Sequence, residues 1–164
     1  MAPNKSAATT HKTEFTTPTD REVVATRRFD APRQLVWDCF TKPEHLQQWL
    51  LGPDGWTMPV CEVDLRKGGK WHWVWRNSEN GETMEMHGEY LEVTAPERLV
   101  NTENWGGPFP ETTQTQVFTE EDGTTLTVAT VVYASKEARD MAIGTGMEDG
   151  WGRSYERLDE YLQR

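Results

Sequence analysis

Between Trp56 and Tyr133 the sequence offers one strand after another and no stretch that could hold a helix between them. Trp56 to Leu65, Lys70 to Arg76, Thr83 to Val93, Arg98 to Trp105, Thr112 to Glu120 and Thr124 to Tyr133 all carry strand-like patterning. Most are separated by turn chemistry: Lys67-Gly68-Gly69, Asn77 to Gly81, Thr94-Ala95-Pro96, Gly106-Gly107-Pro108 and Glu121-Asp122-Gly123. Links this short exclude parallel crossovers, which need about a dozen residues or more, so the strands form an antiparallel meander.

The flanks are helical. Glu22 to Phe29 reads as a first strand, and Asp30-Ala31-Pro32 opens a helix whose apolar face is Leu35, Val36, Cys39 and Phe40. Lys42-Pro43 breaks it and starts a second short helix with Leu46 and Trp49, ended by Gly52-Pro53-Asp54-Gly55. After the meander, Ser135 caps a helix through Ala138 and Met141 to about Ile143, and Gly144-Thr145-Gly146 interrupts it. Thr145 and Glu148 have the spacing of a capping box, and Met147, Trp151, Ser154, Leu158 and Leu162 fall on one face of the long helix that follows. The expectation is an α+β domain in which the last helix fills the concave side of a curved sheet.

Composition narrows the class. A chain of 164 residues fits one domain, here residues 21–164, preceded by a flexible tail from Met1 to about Asp20 that includes His11. The net charge of -10 argues against nucleic acid, whose phosphates require clustered Lys and Arg. No run is long and apolar enough for a membrane span, and the start lacks the apolar core of a secretory signal. Cys39 and Cys61 each sit in an apolar run and read as reduced thiols of a cytoplasmic protein, with a single disulfide as the alternative.

Phe29-Asp30-Ala31-Pro32, Val36-Trp37, Phe40-Thr41, Pro43-Glu44-His45-Leu46 and Trp49 resemble the opening of the activator-of-Hsp90-ATPase-like proteins. These belong to the SRPBCC superfamily, which includes START domains and the birch-pollen allergen. Gly68-Gly69, Gly88-Glu89-Tyr90 and Pro96-Glu97-Arg98-Leu99-Val100 are similar to the family's middle. Ser135 to Asp140, Gly146-Met147, Gly150-Trp151, Ser154-Tyr155 and Arg157-Leu158 are similar to its end. The resemblance implies a helix-grip fold: a curved seven-stranded antiparallel sheet around a long C-terminal helix, two short helices after the first strand, and a cavity between. It also implies a hydrophobic ligand, since members bind lipids, polyketides and hormones; a few are cyclases or hydrolases. The family's name comes from a eukaryotic cochaperone domain.

Trp71, Trp73 and Trp75 alternate on one strand and share a face, while His72, Val74 and Arg76 take the other. Each indole can bury about 150–250 Å², so three exposed together would make a large apolar patch. They are either plain core or a partly open aromatic wall, which Trp56, Trp105 and Trp151 can join. Gln114 and Gln116 alternate with Phe118, where the resemblance leads one to expect apolar residues. If that face is inward, the two amides meet indoles, water or a ligand's head group; in a shifted register they are merely solvated. Met84 and Met86 on the next strand, and Met147 on the long helix, suit either core packing or an adaptable pocket. The expected pocket wall is therefore Trp71, Trp73, Trp75, Met86, Trp105, Gln114, Gln116, Phe118, Met147 and Trp151.

Catalytic chemistry is weakly represented. His72 and His87 can approach one another near Glu85 and Glu89, but the spacing matches no metal signature and they read as solvent-facing. His45 beside Glu44 belongs to the resemblance rather than to a reactive pair. No nucleophile elbow, Cys–His pairing or phosphate-binding glycine loop occurs. Glu103 is the best candidate for acid–base work because it can share a face with Trp105, yet a strand carboxylate is expected to face solvent. Gly144 to Gly146 reads as a helix break over the cavity mouth. No catalytic residue, metal or cofactor is assigned. The leading reading is binding of a small hydrophobic or amphipathic molecule by a monomer or homodimer. The alternatives are an enzyme using the same cavity and a chaperone-associated regulator using an outer surface.

Overall fold

Strand alternation and helix punctuation resolve into the elements β1 (Glu14–Thr16), β2 (Glu22–Phe29), α1 (Arg33–Thr41), α2 (Pro43–Trp49), β3 (Trp56–Val63), β4 (Lys70–Asn77), β5 (Thr83–Thr94), β6 (Arg98–Glu103), β7 (Thr112–Glu121), β8 (Thr124–Val132), α3 (Lys136–Gly144) and α4 (Met147–Leu162) in a computed structural model that describes residues 11–164. The strands form one antiparallel sheet in the order β1-β2-β8-β7-β6-β5-β4-β3. From β3 to β8 each strand pairs with its neighbour in sequence, as a meander requires, and β2 closes onto β8. The helices lie on the concave side, with α4 across it, which is the helix-grip arrangement.

The sheet has eight strands, not the expected seven. The additional strand, β1, lies inside the segment expected to be a flexible tail and pairs with β2 through Glu14–Thr26, Phe15–Ala25 and Thr16–Val24. Its one apolar side chain explains the docking: the Phe15 ring meets Trp151 of α4 edge-on, with centroids 5.5 Å apart. His11 also bonds to Asp30 at 3.0 Å. Residues 1–10 of the expected tail lie outside the described residues.

Helix boundaries follow local chemistry. Pro32 precedes α1 in extended conformation, and Pro43 takes the first turn of α2, where a missing N–H is harmless. Ser135 caps α3 by accepting from the Ala138 N–H. The expected capping box at Thr145 and Glu148 does not form. Gly146 is the residue before α4, left-handed at φ 82°, and it makes no side-chain cap. Thr145 instead donates its hydroxyl back to the Ala142 carbonyl.

The principal core gathers Phe29, Trp37, Phe40, Trp49, Phe118, Tyr155 and Leu158 where α1, α2 and the C-terminal half of α4 meet the sheet. Four edge-on contacts knit it together: Phe29–Tyr155, Trp37–Phe118, Phe40–Phe118 and Phe29–Phe40. Alpha-4 is clamped to the loop after α2. Ser154 Oγ accepts from the Gly52 N–H, and Arg157 donates to the carbonyls of Trp49 and Gly52.

Gly88 shapes the sheet where β4 and β6 both pair with β5. It lies opposite Trp71, and a Cβ there would stand 2.0 Å from the Thr102 carbonyl oxygen and 2.8 Å from Trp71 Cζ2. The indole therefore lies over backbone that only glycine leaves bare. Gly88→Ala is expected to displace Trp71 or split the β5–β6 contact, lowering stability by about 1–3 kcal/mol, the usual range for overpacking. Urea unfolding monitored by tryptophan fluorescence measures it; an unchanged midpoint would count against this packing.

Candidate functional site

Alpha-4 covers the sheet unevenly. Ser154 at its middle and Tyr155 and Leu158 in its C-terminal half are buried, whereas Met147 and Trp151 nearer its start are only half-buried. Between that raised end and the sheet lies a partly open cavity of about 530 Å³. This is the size range of small-molecule sites, roughly 300–1,000 Å³.

One wall is aromatic. Trp71, Trp73 and Trp75 all line the cavity, joined by Met84 and Met86 from β5. Trp71 and Trp75 are buried while Trp73 is half-buried. The three rings follow one another in contact, with centroids 4.3 Å apart for Trp71–Trp73 and 5.8 Å for Trp73–Trp75. Trp105 extends the row by stacking on Trp75 at 5.8 Å with planes 13° apart, and it remains 40% exposed at the cavity mouth. Trp56, Met147 and Trp151 also line the space. Of the predicted wall, Phe118 is the exception. Its ring is buried in the core against Trp37 and Phe40 and does not border the cavity.

The next strip of the sheet, on β6 and β7, is more polar. Register places Leu99 beside Gln116, Asn101 beside Gln114 and Glu103 beside Thr112, all on the inward face. The inward reading of Gln114 and Gln116 holds, but the amides are not the partners of the indoles. Trp75 donates to the Leu50 carbonyl at 2.7 Å, while Trp71 Nε1 and Trp73 Nε1 have no hydrogen-bond partner. Gln116 Nε2 likewise makes no well-formed hydrogen bond, although the amide lies near enough to the Tyr155 hydroxyl to offset part of its burial.

Glu103 overturns an expectation. It faces the cavity rather than solvent, with only 8% of its surface exposed. Thr112 Oγ1 donates to Oε1 at 2.9 Å. Burial pushes the carboxyl up to about 7, and the Thr112 hydrogen bond only partly opposes the rise. A buried carboxyl that titrates near neutrality can accept a hydrogen bond or exchange a proton with a bound molecule. Tyr133 and Tyr155 are also raised chiefly by burial, so both remain phenols at neutral pH. Tyr133 donates its hydroxyl to Met147 Sδ at 3.4 Å.

Asn101 and Tyr133 were missed by sequence reasoning, and both line the cavity. The signal for Asn101 was available: it sits two residues from Glu103 and opposite Gln114. Thr145 and Gly146 also border the space, which places the break between α3 and α4 at its wall. The remaining candidates lie elsewhere. His72 stands on the outer face between Glu85 and Glu62, at 3.1 and 3.2 Å, and those bonds raise its pKa, Glu85 foremost. His87 is its cross-strand neighbour. His45 Nδ1 pairs with the Tyr161 hydroxyl at 2.7 Å. Among the described residues no cluster of His, Cys, Asp and Glu could hold a metal ion. Cys39 and Cys61 are free thiols, pushed up by burial to about 11 and about 12.

Glu103 makes stability depend on pH. Its folded value lies above the usual 4.5, so its contribution is intact at low pH and declines as pH rises from about 4.5 through about 7. That gap is worth about 3 kcal/mol. Glu103→Gln is therefore expected to be near neutral at about pH 4.5 and to stabilise by about 2–3 kcal/mol at about pH 8. Paired urea titrations at the two pH values measure the difference; identical pH profiles for the two proteins would refute it.

No helix among the described residues is long and apolar enough to cross a membrane. Among curated proteins none matches the sequence closely enough to count as a relative. Solved structures do match. A Rhodobacter sphaeroides protein is 28% identical, with TM-score 0.85 over 93% of this chain and 98% of its own. The Nitrosomonas europaea protein NE0264 is 28% identical, with TM-score 0.79 over 90% and 97%. Ms6760 from Mycobacterium smegmatis is 25% identical, with TM-score 0.82 over 92% and 96%. The family model for "Activator of Hsp90 ATPase homolog 1-like protein" matches residues 30–163, from the turn after β2 to the end of α4, and the chain belongs to that family.

Proposed function

We propose that this protein binds a small hydrophobic or amphipathic molecule between the sheet and the N-terminal half of α4. The observation that carries the reading is a cavity of about 530 Å³ with an indole-rich wall, three of whose lining residues also hold buried donors without partners. Trp71 Nε1, Trp73 Nε1 and Gln116 Nε2 are buried donors without a protein acceptor. Each such donor costs about 1–3 kcal/mol when left unpaired. A ligand carbonyl, ether or hydroxyl, or an ordered water, would offset that cost. The apolar body of the ligand would lie along the Trp71–Trp73–Trp75 row and displace water from it. Membership in a family whose wider superfamily binds hydrophobic molecules supports the same reading.

Native mass spectrometry with a panel of apolar compounds, paired with tryptophan fluorescence, tests this. A small molecule retained or added one to one, with quenching of the indoles, is the expected result. Trp73→Ala should weaken binding about tenfold or more, equivalent to roughly 1.4 kcal/mol or more, through lost contact area. Gln116→Leu should discriminate against ligands that bear an acceptor. An absence of added mass and of any fluorescence change across the panel would instead favour a closed core and direct attention to the outer sheet.

The break between α3 and α4 is proposed as the place where ligand enters. Nothing stands within 4 Å of a Cβ at Gly144, so Gly144→Ala fits sterically while stiffening the end of α3. Slower association and dissociation at unchanged affinity are expected in stopped-flow fluorescence, and unaltered rates would place the entrance elsewhere.

A further inference from the structure

Glu103 is a carboxyl in the cavity with no positively charged partner. The residue is more than nine-tenths buried, and its one hydrogen bond comes from the neutral hydroxyl of Thr112 at 2.9 Å. The described residues lining the space include no Lys, Arg or His and no other carboxyl. Tyr133 from the end of β8 and Tyr155 from α4 are the titratable groups that sense Glu103, and both are phenols at neutral pH. Glu148 acts on Tyr133, while Glu103 itself is shifted only by burial and by Thr112. When this carboxyl ionises, the lining offers it no positive partner, and one would have to come with whatever occupies the cavity.

The surroundings suit a particular kind of cation. Trp105 lies two residues beyond Glu103, lines the same cavity and stacks on Trp75. Indole faces attract ammonium groups through their quadrupole, most strongly where water is excluded. The chain's net charge of -10 adds a long-range field that concentrates cations and repels anions. We infer that the cavity takes an aromatic or other apolar molecule carrying a protonated amine, with Glu103 as its counter-ion and the tryptophan row as its apolar bed. This rests on the ligand-binding reading above and narrows it to a chemical class.

The sign of the pH dependence follows. Burial holds the empty site's carboxyl near neutrality, so well below about 7 it is a neutral acid with little attraction for ammonium. An ammonium group stabilises the ionised form, so binding near neutral pH releases a proton and amine affinity rises as pH increases through about 7. A neutral ligand of the same shape lacks that dependence. A carbonyl ligand that used Glu103 as a hydrogen-bond donor would show the opposite slope.

The test is titration calorimetry of the full chain with two probes of matched shape, naphthylmethylamine and naphthylmethanol, between about pH 5.5 and about pH 8, where the amine stays cationic. The amine is expected to bind about tenfold more tightly than the alcohol near pH 8, with the preference shrinking towards parity at the acid end. In Glu103→Gln the amine should fall to the alcohol's level in the same variant. The wild-type pH profile decides the matter even if that variant folds poorly. Equal affinities of the two probes near pH 8, a preference that survives Glu103→Gln, or tighter alcohol binding at low pH would each overturn the inference while leaving a binding cavity intact. Failure of both probes and of the wider apolar panel would overturn the ligand-binding reading together with it.

Discussion

The structure depends on one geometric mismatch: a single helix cannot cover the concave face of an eight-stranded sheet. Alpha-4 has 16 residues, which at about 1.5 Å per residue makes it about 24 Å long. Its height above the sheet is set at the middle and the C-terminal end. Tyr155 and Leu158 are held in the aromatic core with Phe29, Phe40 and Trp49. Ser154 and Arg157 are hydrogen-bonded to the loop after α2. Gly150 brings the helix so close to Pro53 that an added Cβ would stand 3.2 Å from the proline ring. Beyond that clamp the helix cannot descend to meet β4 to β6, and the gap stays open as the cavity.

Where the polar groups are satisfied, and where they are not, separates core from site. Thr125 and Thr127 are fully buried, and each donates to a backbone carbonyl, at Ala31 and Arg27 respectively. Arg27 is buried too and reaches Asp159 at 2.8 Å. Trp49, deep in the core, donates its indole N–H to the Cys39 carbonyl at 2.8 Å. Among the described residues, the buried side-chain atoms left without partners are Arg27 Nε and three donors from residues that line the cavity. Packing error would scatter such atoms through the interior. Three of the four instead belong to residues that line the cavity.

The sequence disclosed elements whose apolar pattern is strong and hid those whose pattern is weak. The alternation of Trp71, Trp73 and Trp75 announces an inward face because no other placement hides three indoles. Beta-6 offers no such signal. Its inward residues are Leu99, Asn101 and Glu103, so only one of three is apolar, and periodicity alone assigns the acidic end to solvent. The cavity reverses that assignment, since a wall facing a void need not be dry. Beta-1 escaped for a related reason: three residues with a single apolar side chain carry no period, and Phe15 is fixed by Trp151, a contact 136 residues distant in sequence. At the α3–α4 junction two local chemistries compete. Thr145 has a capping-box partner in sequence, yet Gly146 adopts the left-handed conformation and the hydroxyl turns back to close α3.

Glu103 sharpens the distinction between what folds this chain and what the chain is for. Next to Trp105 and opposite Thr112, an apolar side chain of similar size would complete the wall and avoid desolvating a carboxyl. The acid instead opposes folding increasingly as it ionises, in a cavity whose lining supplies no cation. Local rules of stability are broken here with only the Thr112 hydrogen bond in partial compensation, and such breaks concentrate at functional sites. Trp71, Trp73 and Gln116, which hold buried donors without partners, line the same cavity, so these breaks gather around one space. That arrangement has little to offer a pure hydrocarbon. It suits the amphipathic ligand proposed above, whose apolar body would lie along the tryptophans.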